Sequence, residues 1–238
     1  YSFNVGKAHY VVLNDNFYIG RDYFYIGYLD EKQFAWLEKD LSYVKEGSTV
    51  FVVLHIPTTC EESDRKQFSY GNIANVMTNA PQLHRMLAPY NAHIFSGHTH
   101  TTYNQIITEK LYEHVIPALS GAWWQGILCT DGTPRGYGVF EVDGEKVTWY
   151  YKSTDFTPDH QMTLYTEQDA AGFAGHVVAN IWAVDENWRI EARFDAGDAQ
   201  PMERFTSYDP GAQKMYADRE KLDHPYVYPT PSDHFFRV

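Results

Sequence analysis

Phe95-Ser96-Gly97-His98-Thr99-His100, read with Val53-Leu54-His55-Ile56-Pro57, decides how this chain is organised. Each stretch is an apolar, β-branched run that ends abruptly in histidine, which is how a buried strand delivers a side chain to the rim of a sheet. On extended backbone His98 and His100 leave the same face, with α-carbons about 6.6 Å apart. Two metal ions roughly 3.5 to 4 Å apart, each about 2.1 Å from its nitrogen, need ligands on that scale, and the same spacing can also chelate a single ion. Gly97 is expected to supply the tight turn just before the ligands. An HxH pair also arises by chance, so the added weight comes from His55. It ends an earlier strand, with a helical segment in between, as in neighbouring parallel strands whose carboxyl ends share one crevice.

These stretches carry a family resemblance. "VVLHIP" (52–57) followed by "IFSGHTH" (94–100) resembles the last two metal-binding blocks of the calcineurin-like metallophosphoesterases, which include the purple acid phosphatases. "YSFNVGKAHYVVLND" (1–15) resembles the strand after that family's Gly-Asn-His block. "SGAWWQG" (120–126), "TPRGYGVFEVDG" (133–144), "VTWYYK" (147–152), "HQMTLY" (160–165) and "ANIW" (179–182) are similar to a bacterial branch with an appended β domain. The resemblance implies an α/β (α+β) fold, part of a β-sandwich flanked by helices, followed by a small all-β domain. It also implies two divalent ions (Zn, Mn, Fe or Ni), with His55 and His98 on one and His100 on the other. A phosphorylated small molecule or phosphodiester would be the substrate, hydrolysed with a water activated between the ions. Periplasmic or extracellular placement is implied by the resemblance alone.

The first three of the family's five blocks, Asp-x-His, Gly-Asp and Gly-Asn-His, do not occur ahead of His55. The histidines present would leave each ion short of its usual shell of four or more ligands. The chain is therefore expected to be the carboxyl-terminal part of an enzyme, weakly active or inactive alone. Its apolar sheet faces are expected to be covered by the amino-terminal half or by self-association. The rival reading is a non-catalytic binding module on a degenerate scaffold.

Composition narrows the partners. In 238 residues, 44% hydrophobic, there is enough apolar content for a sizeable core. The 19 Tyr, 14 Phe and 6 Trp give a bias that goes with β-rich folds and stacking surfaces. A net charge of -12 argues against a nucleic-acid backbone as partner, and makes phosphate binding awkward without a metal to invert the local potential. No apolar run is long enough for a membrane span. Cys60 and Cys129 fall in loops, where one disulfide or two thiols are both open, and Cys60 is close enough in sequence to approach the crevice.

Along the chain, strands are expected over 8–14, 17–19 and 23–28, the last two around a turn at Gly20-Arg21-Asp22. Asp30 should cap a helix, with Gln33 completing a capping-box-like pattern and Phe34, Leu37, Leu41 and Val44 forming its buried stripe. The loop over 58–72 carries Glu61, Glu62, Asp64, Arg65 and Lys66 and is either lid or solvated surface. Asn79 and Pro81 should open a second helix that leaves His84 exposed. Strands over 101–108 and 112–119 follow. Trp123 and Trp124, set between glycines, are candidates for an aromatic wall at the crevice, and Arg135 for a phosphate contact. Asp143-Gly144 marks a hairpin. The first domain is expected over 1–152 and a β-sandwich-like second over 153–238, with a hairpin between 176–183 and 188–194.

Overall fold

The computed structural model describes residues 1–20, 24–60 and 70–238. The turn expected at Gly20-Arg21-Asp22 and the charges of the 58–72 loop from Glu61 to Lys66 lie outside the described residues. The elements in order are strands β1 (Ser2–Val5), β2 (Ala8–Val12), β3 (Asn16–Tyr18) and β4 (Tyr25–Gly27), helix α1 (Glu31–Leu41), β5 (Thr49–Val53), helices α2 (Tyr70–Asn75) and α3 (Ala80–Leu87), β6 (Asn91–Ser96), β7 (Tyr103–Thr108) and β8 (Leu111–Val115). Then come β9 (Gly136–Asp143), β10 (Lys146–Ser153), β11 (Met162–Tyr165), β12 (Val178–Ile181), β13 (Glu191–Ala192), β14 (Gln200–Pro201), β15 (Glu203–Ser207), α4 (Pro210–Met215) and β16 (Ser232–Arg237). The fold is mixed α/β, rich in strands. Among the described residues no helix is long and apolar enough to cross a membrane.

A six-stranded sheet, order β1-β2-β5-β6-β8-β7, positions the site. Its four central strands run parallel, and β1 and β7 pair antiparallel at the edges. The Val-rich β5 is buried over all but its last residue, as a central parallel strand should be. One face packs Val11, Val50, Val52, Ala92 and Ile94 against α1 and α3, through Phe34, Leu37, Leu41, Leu83 and Leu87. The α1 stripe comes from the 3/4 spacing, and its start from Asp30, whose side chain accepts the Gln33 N–H.

The other face is aromatic. Phe3, Tyr10, Phe51 and Phe95 stack in sequence with centroids 5.1, 4.8 and 5.5 Å apart, and Phe140 lies tilted against Phe95 at 4.4 Å. The β9–β10 hairpin covers its β6–β8 end, whereas at the β1 end Tyr1, Phe3 and Val5 stay 74%, 46% and 58% exposed. The hairpin turns at Gly144-Glu145, because Asp143 pairs with Lys146, and Gly144 takes a φ of 64°.

The carboxyl-terminal part builds a four-stranded sheet, order β11-β12-β16-β15, with α4 and the short β13–β14 pair beside it. The hairpin expected between 176–183 and 188–194 does not form: β12 pairs with β11 and β16, so both its edges are taken. The second stretch instead reaches β14 through β13. Asn79 precedes α3 but makes no side-chain cap. Its amide is drawn to Leu29, donating to the carbonyl and accepting the N–H, which ties α3 to the start of α1. Contacts cross residue 152 repeatedly. The Thr102 hydroxyl donates to the Trp182 carbonyl, Asn104 donates to the Val184 carbonyl, and Asn180 donates to the Asp131 carbonyl.

Candidate metal centre

His55 lies two residues beyond β5, and His98 two beyond β6. The ladder between these parallel strands continues past their ends, with Leu54 N–H donating to Phe95 O and Gly97 N–H to His55 O. That last bond, 3.0 Å long, sets the two histidines side by side. His98 Nδ1 lies 3.0 Å from His55 Nε2, with ring centroids 4.8 Å apart and planes crossed at 71°. Tyr25 closes the other side of His98, its hydroxyl 3.3 Å from Nε2.

The backbone that presents these rings is not the extended one that the HxH spacing predicts. His98 and His100 have φ of 68° and 55°, and Thr99 N–H donates back to Gly97 O at 2.7 Å. This is a γ-turn centred on His98, of the rare positive-φ hand. Gly97 does not supply the reversal. It is still held on the sheet by its bond to His55, so the turn falls on the residue after it. His100 consequently faces elsewhere: its Nδ1–H donates to Gly121 O at 2.8 Å, leaving Nε2 as the nitrogen with a free lone pair. Its ring stacks on Trp123 at 4.1 Å and 17°.

Burial holds all three imidazoles below their ordinary pKa, His98 down to about 4 with the neighbouring His55 adding to the effect. Neutral imidazole is the metal-binding form. Two nitrogens each about 2.05 Å from a tetrahedral ion lie roughly 3.3 Å apart; the His55–His98 pair, hydrogen-bonded ring to ring at 3.0 Å, stands close to that spacing and matches one edge of such a shell once the proton between the rings is displaced. It fits no more than an edge. Among the described residues no three His, Cys, Asp or Glu side chains are grouped to hold one ion.

Two carboxylates that motif reading missed lie beneath the pair. Asp15, fully buried just beyond β2, accepts the N–H groups of His55 and Ile56 at 3.0 and 2.9 Å. Burial raises its pKa to about 6, against the lowering effect of those two bonds. Glu113, fully buried on β8, accepts from Thr58, Thr59 and Ser96, and burial raises its pKa too. The signals were present: an acid at the end of a strand neighbouring the His55 strand, and a lone acid inside an apolar strand.

The remaining candidates are placed as follows. Trp123 stands against His100, with Tyr226 edge-on to it at 5.7 Å, while Trp124 is 77% exposed. Arg135 gives its Nε and Nη2 to Asp155, both at 2.9 Å, and no contact joins it to the histidines. His84 is half-buried and not exposed, because its Nε2 is drawn to Thr58 Oγ1 at 2.9 Å. Cys60 and Cys129 form no disulfide, and Cys129 is buried.

Over residues 113–238, more than half of the chain, the sequence matches the family described as "C terminal of Calcineurin-like phosphoesterase". The chain belongs to that family. No curated protein matches it. The matched residues begin at Glu113 and take in Trp123, Trp124 and Arg135, while the three histidines precede them. Proteins of this family generally bind metal ions; in this chain one pair of imidazoles lies in contact and a third is held apart.

Proposed function

We propose that the intact protein is a metal-dependent hydrolase of phosphate esters, a phosphorylated small molecule or a phosphodiester, and that this chain carries part of its dinuclear site. The observation that carries this reading is the 3.0 Å contact of two neutral imidazoles, His55 and His98, at the ends of adjacent parallel strands. His55 and His98 would hold one ion and His100, through Nε2, the other. Bound divalent ions would supply the positive potential that a phosphoryl group needs and that a chain of net charge -12 lacks. The chain's own residues fix ring orientation: Asp15 through the backbone of His55, Tyr25 against His98, and the Gly121 carbonyl on His100. Trp123 would wall the crevice on the organic side of the substrate. An amino-terminal segment would bring the remaining ligands and cover the aromatic face left open at Tyr1, Phe3 and Val5, the same face through which the chain alone would self-associate.

The test is a Zn or Mn titration followed by a chromogenic phosphodiester assay, on the intact protein and on this chain. Strong metal-dependent turnover is expected from the intact protein, lost in His55→Ala and His98→Ala, with little from the chain alone. A fully active His98→Ala enzyme would sink the reading. The absence of a three-ligand group among the described residues favours one second reading, a binding module that presents Trp123, Trp124 and Tyr226. Metal-free binding of an aromatic or sugar ligand, with no turnover by the intact protein, would select it.

A further inference from the structure

Glu113 is buried completely, and among the described residues no lysine, arginine or histidine forms an ion pair with it. Such a carboxylate is tolerated only when its lone pairs are filled. Here all four are. Oε1 accepts the Thr58 N–H at 2.7 Å and the Ser96 hydroxyl at 2.8 Å, and Oε2 accepts the hydroxyls of Thr58 at 2.8 Å and Thr59 at 2.5 Å. A carboxylate has about four acceptor sites, so nothing is left over.

Among the described residues the donors come from two places. Thr58 and Thr59 lie three and four residues after His55, and Ser96 lies two before His98. One side chain, fixed on β8, therefore grips the chain just after the first histidine and just before the second. Neighbours stiffen the clamp: His84 Nε2 lies 2.9 Å from Thr58 Oγ1, and the Tyr103 hydroxyl donates to the Thr59 carbonyl at 2.7 Å.

We infer that Glu113 is a positioning residue that sets the separation of His55 and His98 by clamping the β5 and β6 strand ends together from beneath. The ladder bond between His55 and Gly97 fixes the backbones, but His98 sits at a strained turn that could relax. Holding Ser96 and Thr58 on one carboxylate removes that freedom. The substitution Glu113→Gln would keep the shape, because an amide oxygen can accept the Thr58 N–H and Ser96 hydroxyl while its NH₂ donates to the two threonine hydroxyls. An apolar residue of similar size cannot.

The metal arm of the test rests on the proposed phosphoesterase site; the metal-free arm does not. In metal-free intact protein labelled at histidine, the wild type should show proton–proton contacts between the His55 and His98 rings. Glu113→Leu should lose them, Ser96→Ala should weaken them, and Glu113→Gln should keep them. In zinc titrations Glu113→Leu should bind about 10- to 100-fold more weakly, the loss typical of removing a group that orients a ligand, with Glu113→Gln near wild type. If Glu113→Leu does not fold, Ser96→Ala decides by the same ring contacts. Undiminished ring contacts in Glu113→Leu, or in Ser96→Ala where that variant decides, would overturn the inference. So would a Glu113→Gln protein as impaired as Glu113→Leu. A wild type that binds no zinc, yet loses its ring contacts in Glu113→Leu, would remove the hydrolase reading and leave the clamp standing.

Discussion

The turns after β6 and before β9 both require backbone of positive φ, and they meet the requirement with opposite residues. Before β9 it is Gly132, φ 85°, where a Cβ would lie 2.0 Å from the Asp209 carboxyl carbon and 2.3 Å from its Oδ2. After β6 it is His98 and His100, and the loop that packs on His100 adds Trp123 and Trp124 at 54° and 67°. Bulky residues in this region cost of order 1 to 3 kcal/mol each. At Gly132 the left-handed position also has no room for a side chain, whereas at the His98, His100, Trp123 and Trp124 positions a ring is presented at the cost of strain.

The sharpest way to break that contrast is Gly132→Ala. The new methyl would collide with a carboxylate that cannot step aside: Asp209 caps α4 through the Ala212 N–H and accepts from Tyr165 and Asn180 at 2.7 and 2.9 Å. Combined backbone strain and disruption of a buried polar cluster should remove about 4 kcal/mol or more. Urea denaturation checks it, and a loss under about 1 kcal/mol would mean the turn adapts as freely as the rim does.

Next in size is an acid effect. His93 Nδ1 meets His114 Nε2 at 2.9 Å, and His114 Nδ1 meets Asn104 Oδ1 at 2.6 Å, which assigns the protons: Nδ1–H on each ring. Burial depresses His93 to about 4 and His114, with His93 beside it, to about 3. Both lie below the ordinary value near 6.5, so the unfolded chain takes up protons first as pH falls. The stability they contribute is complete above pH 6.5 and is lost as pH falls toward 4. By pH 5 the loss is roughly 2 kcal/mol per histidine. Asp15, raised to about 6, runs the other way, gaining stability on protonation below that pH. A difference measurement isolates the pair: between pH 7 and 5, His93→Phe should lose about 2 kcal/mol less than wild type. Parallel stability profiles for the two proteins would refute the assignment.

What could be read from the sequence follows the range of the interaction. The Asp30 cap, the stripe of Phe34, Leu37 and Leu41, and the two histidine-tipped strands are set by residues within a turn or a strand of one another, and periodicity exposes them. The neighbouring parallel placement of β5 and β6 followed from the segment between them. The pairing of Val178 with Arg237 is carried by no local pattern. Nor are the long-range bonds of Glu113 to Thr58 and of Asp15 to His55. The left-handed turn at His98 was hidden for another reason: Gly97 is the residue that local propensity favours for it, and the sheet had already claimed that residue through its bond to His55.

The smallest expected effect is the most informative about the rim. His98→Gly exchanges a strained imidazole at φ 68° for the residue that adopts this conformation at no steric cost. Against the relief stand the greater chain entropy of glycine in the unfolded state and the loss of the ring's contacts to His55, Tyr25 and the Ala74 backbone. Because the ring is only partly buried, those contacts are worth less than the strain. The variant should be about 0.5 to 1 kcal/mol more stable than wild type and should bind zinc far more weakly. Thermal melts and zinc titrations on the same samples measure both. If His98→Gly were instead destabilised by 1 kcal/mol or more, the imidazole would be holding the turn together, and the contrast with Gly132 would be one of packing alone. A gain in stability joined to a loss of metal affinity would show that this turn keeps its histidine at the expense of the fold.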